Sequence, residues 1–415
     1  MTLTIQKSVL RGEVTVSGAK NSALRLMVAS ILTPGRIDLL NYPDALLDAE
    51  VQCHMLEALG KRCVSAEGHL SIEEPVAMAQ SFDWEDRSIR NTLLMLGALT
   101  ARFGYGKVPI PGGCQLGERK YDIHIMVLQA LGAEVTDLGD GWLEAEAKGK
   151  RLVGTDIHLP IRSTGATENA ILCGTLAEGQ TRIWNPHIRP EIIDLITLLR
   201  KMGANIEVRG QESIIIDGVE TLAGATHAVI PDNVEALTWL IGTVIAGGEV
   251  EIVGFPYEHL EVPLIHLKES GARFYRFEDR MIVKGGKCYP VEISTGPYPG
   301  INSDMQPLFA VYGAVAQGES RIIDLRFPGR YGYCEELGKM GMSYGVDANM
   351  LKIKGGSRLK GTQVCALDLR AGAALFLAAL VAEGTTYLKD SWQILRGYNA
   401  FEDKARTLGV SIGTD

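Results

Sequence analysis

The sequence predicts an α/β fold made of two similar domains, each containing three copies of a repeat of about 70 residues. Two marks recur in phase along the chain: a glycine that ends an amphipathic helix, and a second glycine between a small-residue helix and a β-rich segment. A polar segment also stands before the first helix of each repeat. Units this large do not form a solenoid, and six copies divide into two groups of three with a cleft between them.

The first mark is a helix that stops at a glycine able to adopt the left-handed conformation. In one copy Leu199-Arg-Lys-Met-Gly203 is followed by the short strand Ala204-Asn-Ile-Glu-Val208. The six glycines of this kind are Gly60, Gly132, Gly203, Gly271, Gly341 and Gly409. The second mark is seen in Ala177-Glu-Gly179, which precedes the β-rich Thr181-Arg-Ile183. A chance match does not account for two marks in phase across six units.

The third mark is polar and lies just ahead of the first apolar helix of each repeat. Helix N-termini expose unpaired N–H groups and carry partial positive charge, so they bind anions, and several of these segments also carry Lys or Arg. If equivalent segments converge on the cleft, the natural ligand is a small multivalent anion. The segments are 17–21, 86–91, 162–167, 232–235, 302–306 and 368–371.

Composition limits the alternatives. Hydrophobic residues make up 46% and charged residues 22%, as in a folded protein, and the net charge of −9 disfavours nucleic acid or an anionic membrane as partner. The N-terminal residues lack the apolar core of a secretory signal, and the apolar run from Ala371 to Ala382 is too short to span a bilayer. The seven cysteines form no CxxC pair, which indicates reduced thiols and no zinc site. We therefore expect a cytoplasmic protein.

Several stretches together resemble the enolpyruvyl transferase family: Lys20, Arg90, Pro111-Gly-Gly-Cys-Gln-Leu-Gly-Glu-Arg119, Ser303-Asp304-Met-Gln306, Asp368-Leu-Arg370-Ala-Gly and Arg396-Gly-Tyr398. The resemblance covers nearly the whole chain. Its Gly-Gly-Cys loop is specific to the members that use UDP-N-acetylglucosamine, whereas the 5-enolpyruvylshikimate-3-phosphate synthases are more distant. It implies a two-domain inside-out α/β barrel built from six βαβαββ repeats. Residues 20–227 would form one domain, residues 1–19 and 228–415 the other, with the active site in the cleft between them.

The resemblance also implies a reaction. The carboxyvinyl group of phosphoenolpyruvate would move to a hydroxyl of a uridine nucleotide, with release of phosphate, by addition and elimination. The acceptor in the family is UDP-N-acetylglucosamine, a peptidoglycan precursor. Such a transfer needs cations for the phosphate and the carboxylate, an acid for the methylene carbon and a base for the attacking hydroxyl, but no cofactor and no metal. The protein would act as a monomer or weak homo-oligomer.

The resemblance assigns the site residues. The residues that bind phosphoenolpyruvate would be Lys20, Arg90, Arg119, Arg330, Arg370 and Arg396. The catalytic residues would be Cys114, Asp304, Lys20 and Arg396. The acceptor would contact Asn21, Arg119, Asp122, Arg162, Ser163, Gly165, Asp304 and Arg326. A single Arg is more often a solvated surface charge, but six cations at motif positions reverse that expectation.

Cys114 and Asp304 each have a structural alternative. A lone Cys is more often inert core, yet Cys114 lies in a glycine-rich polar loop, where Arg119 and Lys120 favour the thiolate. The family loop gives it general-acid or covalent chemistry on a mobile lid. Asp304 opens a helix and would cap it for about 1 kcal/mol, while the resemblance makes it the base or positioner of the acceptor hydroxyl.

Several acceptor-side positions depart from the family pattern. Ile161 stands in place of a Lys that binds the diphosphate, Leu94 in place of a Trp and Arg189 in place of a Glu. The added arginines 162, 189 and 326 suggest that negative charge is held elsewhere, because a buried Arg without an anion is costly. One interpretation is drift within a peptidoglycan enzyme. A second is another acceptor, such as UMP, in nucleoside antibiotic or other secondary metabolism. A third, a catalytically silent nucleotide-binding paralogue, is disfavoured because the catalytic set is retained.

Overall fold

The chain folds into two compact units. The computed structural model describes residues 1–87, 89–111 and 121–414. Unit 1 comprises Met1–Ser17 and Pro231–Asp415, and unit 2 comprises Gly18–Ile230. None of the helices in the described ranges is long and apolar enough to cross a membrane.

Short strands and helices alternate through both units. The strands are β1 (Thr2–Gln6), β2 (Leu10–Thr15), β3 (Ile37–Leu40), β4 (Arg62–Ala66), β5 (His69–Glu73), β6 (Tyr105–Pro109), β7 (Ala133–Asp137), β8 (Trp142–Ala147), β9 (Asp156–His158), β10 (Gln180–Trp184), β11 (Asn205–Arg209), β12 (Ser213–Asp217), β13 (Ala225–Ala228), β14 (Gly248–Val253), β15 (Arg273–Arg276), β16 (Arg280–Lys284), β17 (Glu292–Ser294), β18 (Glu319–Ile323), β19 (Ser343–Asp347), β20 (Met350–Lys354), β21 (Gln363–Cys365), β22 (Thr385–Lys389) and β23 (Ile412–Thr414). The helices are α1 (Lys20–Ala29), α2 (Leu47–Ala58), α3 (Thr92–Phe103), α4 (Asp122–Ala130), α5 (Thr164–Leu176), α6 (Pro190–Lys201), α7 (Asn233–Ala246), α8 (Glu261–Glu269), α9 (Gln306–Val315), α10 (Tyr333–Lys339), α11 (Leu369–Val381), α12 (Trp392–Leu395) and α13 (Phe401–Thr407).

Each unit contains three small sheets within the described residues. In unit 2 the strand orders are β13-β3-β5-β4, β6-β8-β7 and β11-β12-β10-β9. In unit 1 they are β15-β16-β14-β2, β17-β18-β20-β19 and β21-β22-β1-β23. From β17 to β20 the chain forms a strand, a helix, a strand, a helix and two strands. The four strands lie in the sheet in the order β17-β18-β20-β19, so the last two are interchanged relative to the sequence. The run from β9 to β12 repeats both the element order and the sheet order.

In two sheets the strand that precedes the first helix in sequence pairs with the other sheet: β2, which precedes α1, and β13, which precedes α7. β2 pairs in parallel with β14, with Val14 opposite Ile252, although the chain next enters unit 2 and forms α1. β13 pairs in parallel with β3, although the chain next enters unit 1 and forms α7. The chain ends are joined as well, because β1 lies between β22 and β23 and pairs with both in antiparallel fashion.

The six helix-ending glycines behave as the sequence predicts. All of them, from Gly60 to Gly409, have φ between 83° and 106°. A side chain strains the backbone in this left-handed region, so glycine stops the helix at little cost and lets the chain turn into the next strand. This part of the repeat prediction is confirmed.

The cores are built around the first helix of each repeat. In unit 1 the helices α7, α9 and α11 pack on one another, and nearly all their residues are buried. The ring of Trp239 lies 6.2 Å from that of Phe376 and 5.8 Å from that of Phe401, centroid to centroid. In unit 2 α3 packs on α5 at Gly97, where a Cβ atom would lie 1.9 Å from Asn169 Oδ1 and 2.9 Å from Cys173 Sγ.

We expect Gly97→Ala to lower the free energy of unfolding by about 1–3 kcal/mol, because the new methyl group has no room between α3 and α5. Alanine normally stabilises a helix relative to glycine by about 1 kcal/mol, so the sign itself is informative. The matched control is Gly345→Ala on β19, where a Cβ would meet nothing within 4 Å. Chemical denaturation measures both, and equal effects would contradict the tight contact.

Candidate functional site

Each of the six polar segments lies at the start of a helix, as predicted. α1 begins at Lys20, α3 follows Arg90 and Asn91, and α5 follows its cap Ser163. These three belong to unit 2. In unit 1, α7 and α11 follow the capping carboxylates of Asp232 and Asp368, and α9 begins just after Asp304. The candidate site residues therefore come from equivalent places in both units.

In unit 1 one carboxylate binds two buried guanidinium groups. Asp304 Oδ1 accepts a hydrogen bond from Arg330 Nη1 at 3.0 Å, and Asp304 Oδ2 accepts one from Arg370 Nε at 3.3 Å. The side chains of Arg330 and Arg370 are only 8% and 2% exposed. Burial by itself lowers the pKa of Arg370, but Asp304 and other nearby acidic groups outweigh it, so this pKa lies above its ordinary value. Both arginines are therefore fixed cations.

Asp304 does not cap its helix. The capping residue of α9 is Met305, which makes no capping hydrogen bond through its side chain, and the Asp304 backbone N–H donates to Asn302 Oδ1 at 3.1 Å. The Asp304 carboxylate instead points to the two arginines. The capping alternative is wrong because ion pairing with two guanidinium groups outweighs a single bond to a backbone N–H.

Arg370 keeps one donor available. Its Nη1 atom is buried and has no hydrogen-bond partner among the described residues. Its guanidinium carbon lies 5.6 Å from the centre of the Tyr398 ring, and the Tyr398 hydroxyl pairs with Thr238 Oγ1 at 2.9 Å. A buried N–H without an acceptor costs free energy, so this atom is suited to an incoming anion.

The other predicted residues of unit 1 have different surroundings. Arg396 follows α12 and is half-buried, and its Nη1 donates to Gln393 Oε1 at 2.9 Å. Arg326 is exposed, and its guanidinium carbon lies 5.3 Å from the centre of the Phe327 ring. Arg326 is therefore not a buried cation, and its presence does not by itself require an anion.

In unit 2 the Lys20 ammonium is buried against a carboxylate that the sequence interpretation missed. Lys20 Nζ lies 2.6 Å from Asp48 Oδ2, and Asp48 also binds Arg87. Asp48 is the second residue of α2 and is buried on the inner face of that helix. Just before α3, Asn91 Nδ2 donates a hydrogen bond to the Leu24 carbonyl oxygen at 2.9 Å, which holds the start of α3 against α1. Asn21 is partly buried on α1.

His124 is a second residue of unit 2 that the sequence interpretation did not single out. Burial, followed by the positive charges of Arg90 and Arg25, lowers its pKa to about 3. Arg25 Nε donates to Glu168 Oε1 at 3.0 Å. A Cβ atom on Gly165 would lie 2.8 Å from His124 Nε2, so only glycine lets the start of α5 approach this ring. The neutral imidazole can thus take part in hydrogen bonds without adding charge.

The remaining acceptor residues lie at helix starts. Asp122 is the exposed first residue of α4. Ser163 caps α5 by accepting from the Ala166 N–H at 3.4 Å, and Arg162 Nε donates to Asn185 Oδ1 at 3.4 Å. Cys114 and Arg119 lie outside the described residues.

Arg189 is neutralised within the protein. Its Nε and Nη2 atoms donate to the two carboxylate oxygens of Glu191, both at 2.7 Å, in a bidentate pair. Burial raises the pKa of Glu191, but Arg189 reverses this and holds it below its ordinary value. Arg189 therefore does not by itself call for a bound anion, because Glu191 already supplies a negative charge.

Comparison with known proteins settles the family. Residues 5–405 match the family described as EPSP synthase (3-phosphoshikimate 1-carboxyvinyltransferase). The chain belongs to this family. Membership confirms the resemblance to enolpyruvyl transferases that the motifs predict.

Relatives match along nearly the whole chain. UDP-N-acetylglucosamine 1-carboxyvinyltransferase 1 of Caldanaerobacter subterraneus subsp. tengcongensis is 39% identical over 404 residues, which cover 97% of this chain and 96% of that protein. UDP-N-acetylglucosamine 1-carboxyvinyltransferase 2 of Carboxydothermus hydrogenoformans is 39% identical over 410 residues, covering 98% and 97%.

Two solved structures share the α/β fold of this chain. The enolpyruvyl transferase NikO from Streptomyces tendae superposes with a TM-score of 0.90 at 26% identity, over 99% of this chain and 98% of that one. An EPSP synthase from Acinetobacter baumannii superposes with a TM-score of 0.74 over all of both chains, but at 17% identity it shows the fold alone.

The chemistry available at these helix starts is electrostatic. Fixed cations at helix N-termini bind anions, and the Asp304 carboxylate beside them can accept a proton or orient a hydroxyl. Among the described residues no group of three or more His, Cys, Asp or Glu side chains could hold a metal ion.

We expect the His124 ring to remain neutral down to about pH 3, because its pKa falls from 6.5 to about 3 in the folded chain. The unfolded chain binds the proton first, so the stability that neutral His124 contributes is complete above pH 6.5 and is lost as the pH falls toward 3. Histidine NMR signals followed over pH measure the pKa directly. His124→Asn should remove a slope of up to about 1.4 kcal/mol per pH unit from the acid side of the stability profile. A ring that titrates near pH 6.5 would contradict the buried, cation-flanked environment.

Proposed function

We propose that this protein transfers the carboxyvinyl group of phosphoenolpyruvate to a hydroxyl of UDP-N-acetylglucosamine and releases phosphate. The observation that carries the proposal is the Asp304 carboxylate held between the buried guanidinium groups of Arg330 and Arg370. The choice of acceptor is supported by relatives of that name at 39% identity over nearly the whole chain. The product would be a peptidoglycan precursor.

The cations bind and polarise the donor. Phosphoenolpyruvate carries a phosphate and a carboxylate, and both suit the planar fork of an arginine. Arg330 and Arg370 supply guanidinium groups in unit 1, and Arg370 Nη1 has an N–H that no described residue accepts. We assign the same task to Lys20, Arg90, Arg119 and Arg396. Lys20 would have to share its charge between the donor and Asp48, which lies 2.6 Å away.

The addition and the elimination each require a proton to move. A general acid protonates the methylene carbon, so that the neighbouring carbon becomes electrophilic and the acceptor oxygen adds to it. Asp304 takes or directs the proton of that hydroxyl. Loss of phosphate from the tetrahedral adduct, together with one proton of the newly formed methyl group, restores the double bond on the acceptor. We assign the acid to Cys114, on the strength of the family loop that contains it.

The acceptor set completes the assignment. Asn21, Arg119, Asp122, Arg162, Ser163, Gly165 and Arg326 would contact the uridine nucleotide. We also infer that the six chain segments are copies of one βαβαββ unit, arranged three to a domain as an inside-out α/β barrel. The shared strand order of the sheets supports this inference. We propose that the protein works in the cytoplasm as a monomer or weak homo-oligomer.

The arginines at the altered acceptor positions are weak evidence for an acceptor other than UDP-N-acetylglucosamine. The Glu191 carboxylate neutralises Arg189, and Arg326 is exposed rather than buried. Of the three added arginines, two therefore give no electrostatic reason for a different acceptor such as UMP. A silent paralogue would have no need to keep two buried guanidinium groups around a partly exposed carboxylate.

We expect UDP-N-acetylglucosamine to be the best acceptor by kcat/KM in a panel that also contains UMP and shikimate 3-phosphate, with phosphate release as the readout. Arg326→Val should change that value by no more than about fivefold, because an exposed cation contributes about 1 kcal/mol or less. Asp304→Asn should remove most turnover, whereas Asp347→Asn, in a surface pair with Lys352 at 2.9 Å, should not. A preference for UMP that Arg326→Val abolishes would overturn the acceptor assignment.

We expect Cys114→Ala to lose most turnover and Cys114→Asp to keep much of it, because a carboxylic acid can also donate a proton. The Asp variant should no longer be alkylated by an epoxide phosphonate such as fosfomycin, whereas the wild-type protein should gain the mass of one adduct on Cys114. Intact-mass and peptide-mass measurements follow the adduct. Full activity in Cys114→Ala would show that another group is the acid.

A further inference from the structure

A pocket of about 400 Å³ in unit 2 is lined by two cysteines. Cys53 lies on α2 and Cys63 on β4. Both thiols are free and partly exposed, unlike Cys173, Cys288 and Cys334, which are buried. None of the roles assigned to the transferase reaction uses this pocket.

The two thiols share one set of hydrogen bonds. Cys63 Sγ points to the backbone carbonyl oxygen of Cys53 at 3.9 Å, and the Tyr42 hydroxyl lies 3.7 Å from Cys53 Sγ. The pKa of Cys53 is lowered, chiefly by a hydrogen bond from the Cys63 thiol; burial opposes this shift and the Tyr42 hydroxyl adds to it. The pKa of Cys63 is raised, first by its interaction with the Cys53 thiol and then by burial. Cys53 is therefore the first of the pair to ionise, with Cys63 beside it as a protonated partner.

We propose that Cys53 and Cys63 form a dithiol modification site at which a small, neutral or cationic organic disulfide is reduced and an intramolecular disulfide forms. The Cys53 thiolate attacks one sulfur of the reagent and forms a mixed disulfide with it, while the other sulfur leaves as a thiolate and takes up a proton to become a thiol. The Cys63 thiol then loses its proton and attacks the Cys53 sulfur, releasing the second half of the reagent as a thiol. Two protein thiols and one disulfide thus give one protein disulfide and two small thiols.

The charge of the pocket selects the reagent. Three carboxylates, from Asp44, Glu50 and Glu57, line it, against the single imidazole of His54. Negative charge near a reacting sulfur repels an anionic disulfide and attracts a cationic one. We expect cystamine to react faster than uncharged hydroxyethyl disulfide, and glutathione disulfide to be the slowest.

The product would tie a helix of the candidate site to a sheet. α2 carries Asp48, the partner of Lys20, and β4 is the last strand of the sheet β13-β3-β5-β4. The site is nevertheless independent of the proposed function, because it requires only the two thiols, the pocket and the reagent.

The first test is peptide mapping of the reduced full-length protein after treatment with cystamine. A peptide pair joined through Cys53 and Cys63, lighter by two hydrogen atoms than the free thiols, is expected. Cys63→Ser should stop at a cysteamine adduct on Cys53. Absence of the joined pair in the wild-type protein, or an equal amount of Cys53 adduct in wild type and Cys63→Ser, would overturn the proposal.

Cys365 provides the matched control. It is also partly exposed, but burial and then Asp390, whose Oδ2 lies 3.2 Å from its sulfur, raise its pKa to about 11. We expect its cysteamine adduct to form at least about tenfold more slowly than the Cys53–Cys63 disulfide, because a thiol must ionise to react. Cys365→Ser should leave the rate of the pair unchanged. Equal rates at Cys365 and Cys53 would mean that the pair has no special reactivity.

The second test concerns charge. The double variant Glu50→Gln, Glu57→Gln should reduce the preference for cystamine over hydroxyethyl disulfide by roughly threefold or more, the effect of removing unit charges several ångströms away in water. An unchanged preference would overturn the charge selection. Cys114 does not obscure either test, because peptide mapping locates each product.

Discussion

A buried guanidinium group needs a negative partner to offset the cost of removing it from water. In unit 1 the Asp304 carboxylate is the partner of two such groups, those of Arg330 and Arg370. Asp304 stands just before α9, Arg370 is the second residue of α11, and Arg330 lies on the loop before α10. The two ion pairs thus fix three chain segments relative to one another. Because removing one partner of a buried pair leaves an uncompensated charge, the cluster constrains all three segments at once.

Unit 2 also contains a buried cation with a carboxylate partner: Lys20 lies against Asp48. In both units a cation at or near the start of a core helix faces a carboxylate from another element. A doubly charged anion that binds at such a place has to share the cation with the resident carboxylate. The exchange need not be costly, since Arg370 Nη1 has no partner among the described residues and can gain a charge-assisted hydrogen bond. Anion binding and the orientation of Asp304 are then coupled through one guanidinium group.

Local features of this fold could be predicted from local sequence patterns, and the pairing of distant strands could not. A glycine after a helix adopts positive φ for reasons contained in a few residues, and the positions from Gly60 to Gly409 all do so. The polar segments before the core helices were found in the same way. The exchange of β2 and β13 between sheets depends on pairing between distant strands, and no periodicity in the sequence shows it. The position of β1 between β22 and β23 is another long-range pairing of this kind.

Site residues divide along the same line. Asp304, Arg330 and Arg370 could be named from sequence motifs, but the ion pairs among them could not, because the fold decides which side chains meet. Asp48 and His124 were missed for that reason.

Arg189 shows how a partner outside the motifs changes the interpretation of a charge. An arginine in place of a glutamate suggests a reversed charge and a new anion site, yet Glu191, two residues along, forms a bidentate pair with it. A charge substitution changes what a site binds only if the new charge remains uncompensated after folding. At Arg189 it does not, because the Glu191 carboxylate, itself buried, needs the guanidinium as much as the guanidinium needs it. Acceptor preference therefore has to be sought in charges that remain uncompensated after folding, and Arg189 is not one of them.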